Sequence, residues 1–251
     1  MLSKHIFTGL SLIMLLNACS KRDVNPGSPA TIQAFNALND GTNLLITFSN
    51  ERPQVFRTLR ILNNKTFAVT TGRFYLNSSS TPVQLFSRLD TLEKDGPVVK
   101  SDLEFEKGSI YSMFIYGSKT DAKYALHKDI IPPLGMQDST TNIRFANFSE
   151  DQVVSVNLKG QPAGSFIQQI PQKSWSEFTG LSVNTVPKYE FEIRDHGTGD
   201  LIASWVADKV NDFSVNNGAN QWYNKSNTAI LVGKQGGTGT FLPRVIMMPH
   251  R

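Results

Sequence analysis

The chain has 251 residues, 25 Lys plus Arg against 21 Asp plus Glu, a formal net charge of +4 and a single Cys. One Cys excludes an internal disulfide framework and a Cys-rich zinc module, and so mild and dispersed a charge excludes a dedicated nucleic-acid binder. At 39% hydrophobic and 10% aromatic residues, the chain can bury a core, and its length allows one large domain or two ordinary ones.

The first element is a secretory signal. Lys4 and His5 precede an apolar run over residues 6–16, followed by Asn17, Ala18 and Cys19. A run this short cannot stay in a bilayer as a spanning helix, which needs about 20 residues. Leu16-Asn17-Ala18-Cys19 resembles the bacterial lipobox, with Asn17 the least usual residue in its place. The resemblance implies cleavage before Cys19, so that residues 1–18 are a lipoprotein signal peptide and Cys19 carries the acyl chains. A lone exported thiol would be a liability, and lipidation removes it. Residues 19–29, with two Pro and one Gly, read as a flexible tether. The expected partner of this end is the membrane.

Beyond the tether, strand periodicity dominates. Leu44, Ile46 and Phe48 alternate with Leu45, Thr47 and Ser49; Tyr189, Phe191 and Ile193 alternate with Glu190, Glu192 and Arg194, an apolar-in, charged-out pattern. Residues 110–116 are apolar on both faces, as in a strand covered on both sides. Turns such as Asn39-Asp40-Gly41, Lys94-Asp95-Gly96-Pro97 and Asp195 to Asp200 punctuate the runs. The predicted fold is all-β: two tandem immunoglobulin-like antiparallel β-sandwich domains, residues 30–134 and 142–251, joined by a linker at 135–141. The halves repeat by pattern. Thr31-Ile32-Gln33-Ala34-Phe35-Asn36 answers to Asn142-Ile143-Arg144-Phe145-Ala146-Asn147, Leu44/Ile46/Phe48 to Val154/Val156/Leu158, Thr71-Gly72 to Thr179-Gly180, and Tyr116-Gly117 to Val232-Gly233. A tandem pair on a tether would hold its second domain well away from the membrane and present it.

The acylated Cys, tether and tandem sandwiches resemble exported lipoproteins of Bacteroidetes-type bacteria. The stretch from Ile143 to Asp151 with Val154 to Leu158, and the strand from Lys107 to Gly117, are similar to a tandem β-sandwich family known only as a domain of unknown function. The first half departs from it at Ala37 and Leu38, and the second by an insertion over residues 220–225. This resemblance implies a fold and an envelope location, with no activity attached.

Catalytic patterns are missing from the sequence: there is no His-Glu-x-x-His, Gly-x-Ser-x-Gly or P-loop. His127, His196 and His250 read as solvated turn residues, and Asp195 and Asp200 as turn formers without a metal ion. Residues 236–240 are glycine-rich but read as a hairpin loop, with no helix to present its amides to a phosphate. The expectation is a non-enzyme with no cofactor and no metal. Trp175, Trp222 and Tyr223 stand among polar residues and are the candidate ligand-binding rings; Trp205 reads as core. Thr91 and Ser139 are candidate O-glycosylation acceptors. Together these readings predict a non-catalytic envelope lipoprotein that binds or presents a ligand through its C-terminal sandwich. The alternatives are a glycan-binding accessory protein of a polysaccharide uptake system and an adhesin or surface-fibre subunit. A glycan or an envelope protein is the expected partner, with no nucleic acid. Residues 20–23 lack an acidic run, which favours the periplasmic face of the outer membrane over the cell surface.

Overall fold

The computed structural model describes residues 28–90, 95–134, 139–150, 152–212 and 220–250. The signal, Cys19, most of the tether, Thr91 and residues 135–138 of the linker lie outside them. The chain is all-β. Its first half contains β1 (Ala30–Asn36), β2 (Leu44–Thr47), β3 (Arg60–Leu62), β4 (Arg73–Leu76), β5 (Ser80–Ser87), β6 (Val99–Glu104), β7 (Ile110–Tyr116) and β8 (Lys123–Asp129). Its second half contains β9 (Thr140–Ser149), β10 (Val154–Leu158), β11 (Ile167–Ile170), β12 (Ser174–Trp175), β13 (Thr179–Ser182), β14 (Tyr189–Asp195), β15 (Leu201–Ala207), β16 (Ser226–Gly233) and β17 (Arg244–Pro249). Among the described residues, helix is limited to one α-helical turn, α1 (Val69–Gly72), and short 3-10 turns.

Each half is two facing sheets around a core. In the first half the order β3-β2-β5-β6 faces β4-β1-β7-β8, and in the second β11-β10-β14-β15 faces β12-β9-β16-β17, with β13 also paired to β9. Ile32, Ile46, Val83, Leu85, Met113 and Ile115 meet in the first core; Phe145, Val156, Phe191, Ile193, Ala229 and Leu231 meet in the second. The expected alternation holds on β14, where Phe191 and Ile193 point inward and Glu190, Glu192 and Arg194 lie on the other face. Pairing departs from a purely antiparallel scheme in two places. β1 runs parallel to β7 and β9 parallel to β16, because the penultimate long strand of each half returns beside its first.

A third core lies between the halves. Phe35 and Phe114 from β1 and β7 pack against Ala146, Phe148, Ile230, Val232 and Met248 from β9, β16 and β17, with Phe67, Tyr116, Trp175 and Ile246 at its margin. β1, β7, β9 and β16 are therefore covered on both faces, one by their own core and one by the other half. Four β layers result, with the two sandwiches fused face to face. This replaces the expected picture of a second domain held out beyond the first. The apolar run Ala229-Ile230-Leu231-Val232 has the composition such a doubly covered strand requires.

The repeat extends to atomic detail. Asn36 Nδ2 donates to the carbonyls of Thr42 and Leu62 while its Oδ1 accepts from the Leu38 amide. Asn147 does the same with Gln152, Ile170 and Ser149. Lys65 and Lys173, both left-handed at φ 49° and 58°, donate their amides to the carbonyls of Asn36 and Asn147. Gly117 and Gly233 sit at φ 92° and 94°, each where a Cβ would strike a carbonyl oxygen at 2.5 Å or less, so glycine is required at both. One expected correspondence fails. Thr179-Gly180 lies in β13 opposite Ile143 and Asn142, whereas Thr71-Gly72 belongs to α1, ahead of the equivalent strand β4.

Candidate functional site

The inter-sandwich joint concentrates the buried polar chemistry. Arg144 on β9 is 1% exposed. Its Nη2 donates to Asp129 Oδ1 at 2.6 Å and to Ser112 Oγ at 3.0 Å, and its Nε donates to Thr228 Oγ1 at 2.8 Å. Ser112 donates to Asp129 Oδ2 at 2.8 Å. The ring of His250, 2% exposed, places Nε2 2.6 Å from Thr228 Oγ1 and Nδ1 3.5 Å from Asp129 Oδ2. Phe178 covers the guanidinium, with Cζ 4.7 Å from its ring centroid. Alongside, Gln33 and Arg73 of the first half donate to the carbonyl of Pro249, and Arg73 also to that of His250.

These residues stand in equivalent places of the two halves. The parallel registers pair Gln33 with Ser112 and Arg144 with Thr228. Asp129 lies across from Ile110, and the His250 amide bonds the carbonyl of Ser226, the counterpart of Ile110. Gln33, Ser112 and Asp129 therefore correspond to Arg144, Thr228 and His250. The first set contributes an anion and the second a cation, so the two faces complement each other. Burial pushes the Asp129 carboxyl up and the Arg144 guanidinium down, and their mutual attraction opposes both shifts.

The residues expected to bind ligand are distributed differently. Trp222 is 2% exposed; its ring lies in the second core 6.0 Å from that of Trp205, and its Nε1 donates to the Asp208 carbonyl at 2.8 Å. It is a core residue rather than a stacking surface, because the Asn220 side chain turns the polar-looking insertion inward by accepting from the amides of Trp222 and Tyr223. Tyr223 packs at the edge of the same core. Trp175 lies in the joint, stacked on Phe114 at 5.8 Å and against His127 at 4.5 Å. The three rings form no common surface. Ser139 is half-buried, and its carbonyl accepts from the Val183 amide.

Two of the three histidines read as solvated are in the joint. His196 is the exception, in the hairpin between β14 and β15, with Nδ1 3.1 Å from the Gln168 carbonyl. Beside it Asp195 Oδ1 accepts from the amides of Gly197 and Thr198, and those bonds hold its carboxyl below the usual range. Among the described residues, no group of three His, Cys, Asp or Glu side chains could hold a metal ion.

Burial holds His250 well below the ordinary imidazole value, aided by the charges of Arg144, Arg73 and His127. Burial also lowers His127, with Arg144 adding and Asp129 and Glu177 opposing. A depressed folded value means that the unfolded chain takes up protons first as pH falls. Stability is therefore expected to be full above about pH 6.5 and to drop below it. Asp129, raised, acts in the opposite sense at the acid end. Urea unfolding should show the midpoint falling between about pH 7.5 and about pH 5.5, with His250→Phe flattening the slope; a wild-type midpoint constant over that range would refute the assignment.

Open grooves lie on the first sandwich, including one of about 330 Å³ at its β2, β3 and β4 edge, lined by Ile46, Phe48, Leu59, Arg60, Phe74 and Tyr75 among others. Tyr75 is 61% exposed.

No family model matches the chain, and no curated protein matches it. Among solved structures, family 41 carbohydrate-binding modules from streptococcal virulence factors, described with α-glucan recognition, align over 84% of this chain and 94% of their own at 9% identity, with a TM-score of 0.25. A family 26 module from Eubacterium rectale, in complex with maltoheptaose, aligns over 84% and 99% at 11% identity and a TM-score of 0.24. The fimbrial anchor protein Mfa2 of Porphyromonas gingivalis aligns over 89% and 97% at 9% identity and a TM-score of 0.27. Likenesses this slight carry no ligand and no activity across to this chain.

Proposed function

We propose that the chain is an exported, lipid-anchored envelope protein whose body is a rigid, non-catalytic binding platform. The joint carries this reading. Buried Arg144 of the second half bonds Asp129 and Ser112 of the first, and His250 of the second half lies 3.5 Å from Asp129. The observed chemistry therefore holds two sandwiches in one orientation instead of facing a substrate. A body of this kind keeps surface residues from both halves at fixed separations, which suits recognition. The anchor is read from residues 1–19, and the outer membrane, periplasmic side, is its proposed place.

The test is Cys19→Ser. In cells fed an alkynyl fatty acid, the wild-type protein should take up label and partition with membranes, and the variant should lose both. Equal labelling and partitioning of the two would overturn the anchor. Of the alternatives, the adhesin or fibre-subunit reading is favoured by the free edge of β4. The glycan reading loses the ring of Trp222 to the core.

A further inference from the structure

We propose that the groove between β3 and β4 is a recognition site for an extended acidic peptide segment, which adds as a strand to the outer edge of β4. This rests on the binding-platform reading and names its site and partner chemistry.

The first argument comes from the repeat. Arg60 pairs with Ile46 and Ile167 pairs with Val156, and Ile46 and Val156 are themselves equivalents, so Arg60 and Ile167 hold the same place. In the second half Ile167 packs on the core, preceded by Phe166, whose ring sits 5.3 Å from that of Phe191. The first half has Leu59 and Arg60 there. Likewise Tyr75 lies opposite Thr31, and Gly180 opposite Asn142, so the exposed tyrosine stands where the other half has glycine. One sandwich closes its edge with apolar side chains. The other leaves it open and lines it with an arginine and a tyrosine.

Backbone geometry gives the second argument. The Thr31 amide bonds Ser109 on the β7 side. In an antiparallel pair, bonding alternates from residue to residue, so Ile32 and Phe74 exchange bonds across β1 and β4 while Arg73 and Tyr75 turn theirs outward. The outward Arg73 carbonyl is already taken by Arg60 Nη1 at 2.7 Å, with that guanidinium 5.0 Å from the Phe74 ring centroid. The next outward pair, the amide and carbonyl of Tyr75, opens into the groove. With the Arg73 amide bonded to the Val69 carbonyl, Tyr75 is the open position of this edge, and it stands beside a cleft whose lining includes the partly buried Phe48 and Leu76, which suits an extended peptide. Charge selects the partner: residues 51–76 contain five basic side chains and one acidic, and Arg57 and Arg60 are exposed there.

The experiment uses the full-length chain with a fluorescent decapeptide of alternating Val and Asp, measured by anisotropy. A Val/Lys decapeptide and a soluble polyuronate are measured in parallel. Binding of the acidic peptide is expected, weakening as salt rises from about 0.05 to about 0.5 M. Tyr75→Pro removes the ring and also the outward N–H, a loss that an edge strand tolerates, and should weaken binding at least about tenfold, equal to about 1.4 kcal/mol. Tyr75→Ala keeps the amide and should lose less. Arg60→Glu should abolish binding, with unchanged thermal melting as the control for folding. Equal binding of the basic peptide, indifference to Tyr75→Pro, or no peptide binding would overturn the site, and so would polyuronate binding that Arg60→Glu removes while the peptide stays unbound. None of these outcomes bears on Cys19 labelling, so failure here leaves the anchored-platform reading separately decidable.

Discussion

Replacing Asp129 with alanine is expected to lower the free energy of unfolding by about 3–5 kcal/mol, because Arg144 is then left buried without its counter-charge. The guanidinium would keep its bonds to Ser112 and Thr228, but neither hydroxyl can neutralise it. Asp129 lies in the first half, whereas Trp175, Trp205 and Trp222 all lie in the second. Tryptophan fluorescence therefore follows unfolding of the half that was not mutated, and its urea midpoint should still move. The double variant Asp129→Leu with Arg144→Met removes both charges together and should recover most of the loss. A single-variant loss below about 1 kcal/mol, the range of an exposed ion pair, would show that the pair is not part of a sealed joint.

The arrangement of that pair bears on why two copies of one motif became a single body. Equivalent strands supply the two faces, so copies of the same half could in principle associate in the same way. Two first-half faces would set Asp129 carboxylates toward each other, and two second-half faces would do so with Arg144 guanidiniums, each in a region shielded from water. Only the mixed pairing places anion against cation. Divergence at Gln33/Arg144 and Asp129/His250 thus specifies which half meets which. Phe35, Phe114, Phe148 and Ile230 supply the apolar burial without that choice.

Period-two patterning made the all-β class legible, since alternation such as Tyr189 to Arg194 has few other solutions. The joint was harder to read. Arg144 sits in a strand whose neighbours Ile143 and Phe145 face its own core, so period-two logic assigns the arginine to solvent. What covers that outer face is the facing sheet of the first half, from which Ser112 and Asp129 meet Arg144 across 32 and 15 residues of chain, and local pattern carries no record of it. The apolar runs on β7 and β16 are the available signal, and they mark strands covered on both sides without naming what covers them. Trp222 departs from its local pattern for the converse reason. Its Asn, Gln and Lys neighbours suggest a surface loop, but the Asn220 side chain is spent on capping that turn, which lets the indole swing into the core.

Phe114→Ala should cost about 3–5 kcal/mol, the range for removing a fully buried phenylalanine. Its ring is the hub of the apolar joint: 4.4 Å from Phe148 and 5.8 Å from Trp175 in the second half, and 6.4 Å from Phe35 in the first. The substitution opens a cavity between sheets that belong to different cores. If the four layers unfold as one unit, the tryptophan transition and the far-ultraviolet dichroism transition should shift together to lower urea. Phe114→Leu, which keeps most of the volume, should recover much of the loss. The midpoint is the decisive quantity, since the intensity of Trp175 changes with its neighbour regardless of stability, while Trp222, deep in the second core, reports on that core. A tryptophan midpoint that stays at the wild-type value while dichroism reveals an earlier, separate transition would mean that each sandwich stands on its own core, and the rigid-platform reading would fall with it.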